Sequence, residues 1–199
     1  MKLKAKQVFF NDRDGHTLLS NKERKGLRLT HVTNMKELDA AEQMNINEGL
    51  LWLNSVNSKD FVSEVFFKKL HKKLFGEVWK WAGEYRTSEK NIGVQPYKVA
   101  SEMMKFEEDA KLWLEKGSFA DWAELLAHFH HKLVFIHPFP NGNGRFSRIV
   151  TNYLCEQYGK PVPSWYPDLP PEERRAKYID ALKAADVKKY FDLIEFFKK

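Results

Sequence analysis

The sequence predicts a mainly α-helical domain with one small β-hairpin flap. Apolar residues recur at helical spacing. Val62, Phe66, Leu70 and Leu74 are four apart, and Phe146, Ile149, Val150, Tyr153 and Leu154 fall at i, i+3, i+4, i+7 and i+8. Only residues 84–97 (EYRTSEKNIGVQPY) set short extended runs around turn residues, as a hairpin or flap would. With 199 residues, 43% of them hydrophobic and 14% aromatic, the chain can fill one sizeable core.

Residues 1–34 are expected to be irregular, with a turn at Asp12–Gly15 (DRDG). That DxDG lacks the downstream glutamate spacing of a calcium loop. Residues 36–54 predict a helix interrupted near Asn45–Gly49, and 59–75 predict a strong one. After the flap, 98–115 are helical. Ser118, with Asp121 three residues on, is expected to cap the next helix. Its stripe of Trp122, Leu126, Phe129, Leu133 and Ile136 should be buried, and Pro138 ends it. Another helix follows the glycines at 142 and 144. Pro170–Pro171 open one over 172–185, and 187–197 form the last. The expected organisation is an N-terminal segment, 1–34, before one domain, 35–199.

Lys and Arg number 33 against 27 Asp and Glu, giving net charge +6 and a pI near 9.2. This permits an anionic partner without selecting one. Charge alone reads no bases, so specific nucleic-acid binding is not expected. The clusters Lys22–Lys25 and Lys198–Lys199 are read as solvated. Cys155 is the only cysteine, so no intrachain disulfide can form, which fits a reducing compartment. Residues 1–15 lack the apolar core of a signal peptide, and no run of about 18 apolar residues exists. A cytoplasmic protein that does not span a membrane is expected.

Residues 137–148, HPFPNGNGRFSR, carry the chemistry. The segment joins two buried helices, so both its ends are held. Gly142 and Gly144 free the backbone to turn its N–H groups into an anion cradle. The helix that follows adds its positive N-terminal end. Arg145 and Arg148, three apart, present forked donors that suit phosphate oxygens. His137 can act as a base near neutrality. A base, a cradle and two arginines are the parts of phosphoryl or nucleotidyl transfer.

This segment resembles the Fic (Fic/Doc) family pattern His-Pro-Phe-x-Asp/Glu-Gly-Asn-Gly-Arg-x-x-Arg, with Asn141 as the one departure. The likeness extends to FGEVWKWAGEYR (75–86), NIGV (91–94) and His130, and is greatest to the small "mobile mystery protein B" group. The resemblance implies a Fic-type helical bundle that transfers AMP from ATP to a Tyr, Thr or Ser hydroxyl of a target protein. His137, Asn143 and Arg145 would be catalytic. Gly142, Asn143, Gly144, Arg145 and Arg148 would hold phosphates. The flap residues Asn91, Ile92, Gly93 and Val94 would align the target by strand addition. The group is also associated with a helix-turn-helix companion protein. Gly144 argues against the Doc-like reading, in which a lysine stands there. UMP or phosphate transfer, or a non-enzymatic toxin-like or regulatory module, are the alternatives.

The family's acid at position 141 coordinates Mg²⁺. Asn141 offers a neutral carbonyl oxygen, a poorer ligand, so Mg²⁺ (or Mn²⁺) would be held mainly by ATP and water. Many relatives also carry an inhibitory glutamate in the pattern Ser/Thr-x-x-x-Glu-Gly/Asn. Met44–Gly49 matches its Glu-Gly end, so Glu48 is expected to pair with Arg148 from an inhibitory helix over 36–54, with Glu42 in reserve. His128, His130 and His131 crowd one helix without a third metal ligand and are read as packing residues. Trp79 and Trp81 are read as core.

Overall fold

The computed structural model describes residues 20–56, 58, 60–165 and 168–198. The expected turn at Asp12–Gly15 and most of the 1–34 segment lie outside the described residues. The helices are α1 (Asn21–Arg24), α2 (Met35–Ser55), α3 (Glu64–Phe75), α4 (Val99–Lys116), α5 (Trp122–Ile136), α6 (Asn143–Gln157), α7 (Pro171–Asp186) and α8 (Phe191–Phe197). A 3-10 turn, Pro96–Lys98, leads into α4.

Local chemistry sets the helix starts. Asn34 accepts from the Glu37 N–H (3.0 Å), while Glu37 accepts from the Thr33 N–H (2.8 Å), so α2 begins in a reciprocal cap. Ser63 caps α3 through the Phe66 N–H (3.2 Å), so this helix starts later than its apolar spacing suggests. Val62 is buried just ahead of it. The cap of α5 is Asp121, not Ser118. Asp121 accepts from the Glu124 N–H, and Glu124 accepts from the Ala120 N–H, both at 2.8 Å. The same motif thus stands three residues later than expected.

The expected interruption of α2 is absent, because its weak helix formers are the surface that meets α3. Asn45 donates to the Lys73 carbonyl (3.0 Å) and accepts from the Glu77 N–H (2.9 Å). A Cβ on Gly49 would stand 2.8 Å from Leu74. Tertiary contact here overrides propensity.

The core centres on α5, which packs against α4, α6, α7 and α8. Phe67, Phe106, Phe129, Phe139 and Phe146 are fully buried in it. Among the described residues there is no strand, and the one isolated bridge pairs Leu27 with Trp79. The hairpin expected within 84–97 is therefore not formed. The carbonyls of Ser88 and Val94 instead accept from the guanidinium of Arg86, so a side chain ties the two limbs where a ladder was expected. No helix among the described residues is long and apolar enough to cross a membrane.

Asp121→Ala should lower the unfolding free energy by about 1 kcal/mol in urea titration. Ser118→Ala should change it by less than about 0.5 kcal/mol. The reverse order would return the cap to Ser118.

Candidate active site

The turn between α5 and α6 is closed by its own side chains. His137 ends α5 in the left-handed region (φ 51°, ψ 61°), with its N–H donated to the Leu133 carbonyl (3.2 Å). Gly142 (φ 77°) precedes α6, and a Cβ there would meet the Phe75 ring at 2.6 Å. Asn143, the first residue of α6, spans the turn. Its carboxamide accepts from the Phe139 N–H (2.8 Å) and donates to the Phe139 carbonyl (2.7 Å). Phe139 is fully buried, stacked on His71 with centroids 3.7 Å apart. His71 accepts from the Gly83 N–H on Nδ1 (3.0 Å), so its Nε2–H donates to the Asn141 carbonyl (3.1 Å). Burial pushes the His71 pKa down to about 3, so this neutral tautomer persists at neutral pH.

The first turn of α6 is shaped for an anion. The N–H groups of Asn143, Gly144 and Arg145 have no carbonyl one turn back within the helix. The first such bond runs from the Phe146 N–H to the Gly142 carbonyl (2.8 Å). At Gly144 nothing stands within 4 Å of where a Cβ would be, so this side of the helix start borders open space. Arg145 lies beside it, 4.9 Å above the Phe75 ring, with Nη2 2.7 Å from a carboxylate oxygen of Glu42. That contact is ionic, without the alignment of a hydrogen bond. Arg148 is buried one turn further on, 5.8 Å over the Tyr178 ring.

His137 is held as a neutral ring. Burial is the main cause, and the positive charges of Arg86 and Lys90 add to it. A hydrogen bond to the Val134 backbone opposes them, and the pKa falls to about 3. Arg86 fixes the surroundings. Its guanidinium donates to the carbonyls of His137 (2.6 Å), Ile136 (3.3 Å), Ser88 (3.1 Å) and Val94, and its own N–H donates to the Pro138 carbonyl (2.9 Å). Gly93 (φ 100°) approaches so closely that a Cβ would lie 2.6 Å from the Cβ of His137.

The covering loop is latched to α1. Glu23 receives Lys90 Nζ (2.7 Å), the Ser88 hydroxyl (2.7 Å) and the Ser20 N–H (2.7 Å). Burial alone would raise the Glu23 pKa, but these hydrogen bonds outweigh it and hold the carboxyl at about 2. An open groove lined by Arg86, Thr87, Glu89, Gln95, Pro96 and Tyr97 runs along this loop.

Several predicted site residues meet here. His137, Gly142, Gly144 and Arg145 share the turn and helix start, and Gly93 and Val94 close over His137. Asn91 and Ile92 are exposed on the covering loop. Three expectations change. The carboxamide of Asn143 is committed to Phe139, leaving its backbone N–H for an anion. Asn141 turns its side-chain oxygen back onto the Gly142 N–H (2.6 Å), so the site suggested for a metal ligand is occupied by its own loop. Among the described residues no group of three or more His, Cys, Asp or Glu could hold a metal ion. Glu48 is exposed on α2 and does not meet Arg148. One and a half turns earlier, buried Glu42 accepts from Trp79 Nε1 (2.6 Å) and reaches Arg145. Arg86 and His71 were missed. His71 stands four residues from both Phe67 and Phe75, on the apolar face of α3, and that spacing was the available signal, while nothing in the polar stretch GEYRTSEK singled out Arg86. His128 stacks on Tyr190 (3.7 Å), and His131 bonds Asp186 (2.9 Å) and Tyr190 (3.1 Å), as packing residues would.

A neutral imidazole, a helix start and two arginines thus stand together on a helical scaffold, an arrangement whose chemistry suits an anion. Residues 61–155, just under half of the chain, match the Fic/DOC family. It is 28% identical over 183 residues to "Protein adenylyltransferase Fic" of Culex quinquefasciatus, covering 87% of this chain and 35% of that protein. The chain thus spans about a third of that relative's length. Its fold is similar to the Fic domain of a Bartonella sp. AR 15-3 effector (TM-score 0.70, 20% identity, 84% of this chain and 83% of that one). It is also similar to BepC of Bartonella tribocorum, solved with bound AMPPNP (TM-score 0.67, 17% identity, 89% and 98%).

His71, His130 and His137 are each held near pKa 3 in the folded chain, against about 6.5 when unfolded. Between those values the unfolded chain binds more protons, so stability should fall steadily as pH drops from 6.5 toward 3. The urea midpoint should be clearly lower at pH 5 than at pH 7.5. An unchanged or higher midpoint would mean these rings are not buried as described.

Proposed function

We propose that this chain transfers AMP from ATP to a hydroxyl of a target protein. The carrying observation is His137, buried and neutral, at the head of a turn that leads into a helix start whose first N–H groups have no intrahelical acceptor and whose Gly144 borders open space. In this reading His137 takes the proton of a Ser, Thr or Tyr hydroxyl as its oxygen attacks the α-phosphorus. The bond to the bridging oxygen breaks, and pyrophosphate leaves. The first-turn N–H groups of α6 and Arg145 neutralise the phosphates, and Arg148 takes the γ-phosphate. The loop over Gly93 and Val94 aligns the target segment along the neighbouring groove. The likeness to "Protein adenylyltransferase Fic" and to BepC with bound AMPPNP supports this reading. ATP as donor, with a lone buried Cys155, suits a cytoplasmic setting.

We also infer that the chain restrains itself through Glu42. Its carboxylate, 1% exposed, occupies the guanidinium of Arg145 that incoming phosphates need. Trp79 orients it from behind. Glu42 replaces Glu48 in this role because only Glu42 faces the α6 start. Membership of the "mobile mystery protein B" group, and a helix-turn-helix companion that would release Glu42, belong to this proposal and rest on resemblance.

With α-labelled ATP, Glu42→Gly should raise label on protein roughly tenfold or more, and adding Arg145→Ala should remove the gain. His137→Ala should abolish labelling. Label arriving from γ- but not α-labelled ATP would make the chain a kinase. No labelling in either series would make it a binding module.

A further inference from the structure

A polar chain behind α6 connects the phosphate side of the site to α7, beyond the residues that match the family. It begins at Tyr178, whose hydroxyl lies 2.7 Å from His130 Nε2. His130 Nδ1 lies 2.9 Å from Thr151 Oγ1. Thr151 donates its proton to the Ser147 carbonyl (2.8 Å), so its oxygen must accept from His130 Nδ1–H. That leaves Nε2 as an acceptor, and Tyr178 O–H donates to it. Every bond therefore runs in one sense, from α7 through α5 into α6. Ser147 in turn donates to the Asn143 carbonyl (2.8 Å), in the first turn of α6.

The chain fixes where the Tyr178 ring stands. Trp165 and Phe196 pack on that ring with centroids at 6.3 and 5.8 Å. Arg148 lies over it, its guanidinium carbon 5.8 Å from the centroid. An aromatic face attracts a guanidinium through its quadrupole, and more so where water is excluded. Arg148 is 8% exposed, so its rotamers are restricted before any ligand arrives. Pre-ordering a long side chain removes a cost that ligand binding would otherwise carry. His130, fully buried beside Arg148, stays neutral and adds no competing charge.

We propose that Tyr178 is a positioning residue for Arg148, holding its guanidinium for the terminal phosphates of a nucleoside triphosphate, so that α7 completes the site. The inference rests on the nucleotide reading above. AMP lacks the phosphates that Arg148 would meet, so ATP and AMP separate positioning from general packing.

The test is calorimetric binding of ATP and of AMP to the full chain carrying Glu42→Gly. Tyr178→Leu, which keeps an apolar side chain but removes the ring, should weaken ATP about tenfold and leave AMP unchanged. Tyr178→Phe keeps the ring but loses the hydrogen bond to His130, and should weaken ATP by a smaller factor of about two to three. In an Arg148→Ala background neither substitution should weaken ATP further. Equal weakening of ATP and AMP, or a loss that persists without Arg148, would overturn the proposal in favour of packing alone. ATP binding indifferent to both substitutions would overturn it and leave the nucleotide reading standing. Binding of neither nucleotide would overturn both.

Discussion

Arg86 lies buried where the end of α5 meets the loop that covers it, and its guanidinium donates to carbonyls on both sides. A buried guanidinium without partners would be costly, and here nearly every N–H finds an oxygen. Its backbone N–H holds Pro138 as well. Three features follow from this one group. The left-handed backbone at His137 is braced from outside the helix. The covering loop is drawn down until Gly93 touches His137. The nearby positive charge, added to burial, keeps the imidazole ring unprotonated.

The floor of the site depends on a second constraint, the pinning of the 137–142 turn from within. Asn143 bridges the Phe139 backbone, His71 holds the Asn141 carbonyl, and Phe75 leaves no room for a side chain at Gly142. With the turn fixed, the first N–H groups of α6 point in a set direction before any ligand is present. Preorganised donors of this kind need no rearrangement when charge develops. Glu42 meets the same region from α2, with its carboxylate 2.7 Å from Arg145.

Much of this was legible in the sequence. The stripes of α3, α5 and α6 and the HPFPNGNGRFSR turn led directly to the helical scaffold and to His137. What was not legible depends on contacts between distant segments. Asn45 and Gly49 look like helix breakers until α3 is set against them. The 84–97 stretch has hairpin composition, but Arg86, within it, satisfies the carbonyls that a second strand would have paired. Glu48 matched a linear pattern better than Glu42, yet the helical turn puts Glu48 in solvent and Glu42 under Trp79 and Arg145. Asn143 and Asn141 have the chemistry of ligand-binding groups and are used to close their own loop. Spacing along the chain identifies faces, but it does not identify the partner on each face.

The Arg86-braced loop seals His137 from water and keeps it neutral. Titration of the His137 ring nitrogens by NMR measures this directly. The ring should stay unprotonated down to about pH 4, as a pKa near 3 requires. Protonation with a midpoint near 6.5, the value of a solvated imidazole, would show an open loop and contradict it.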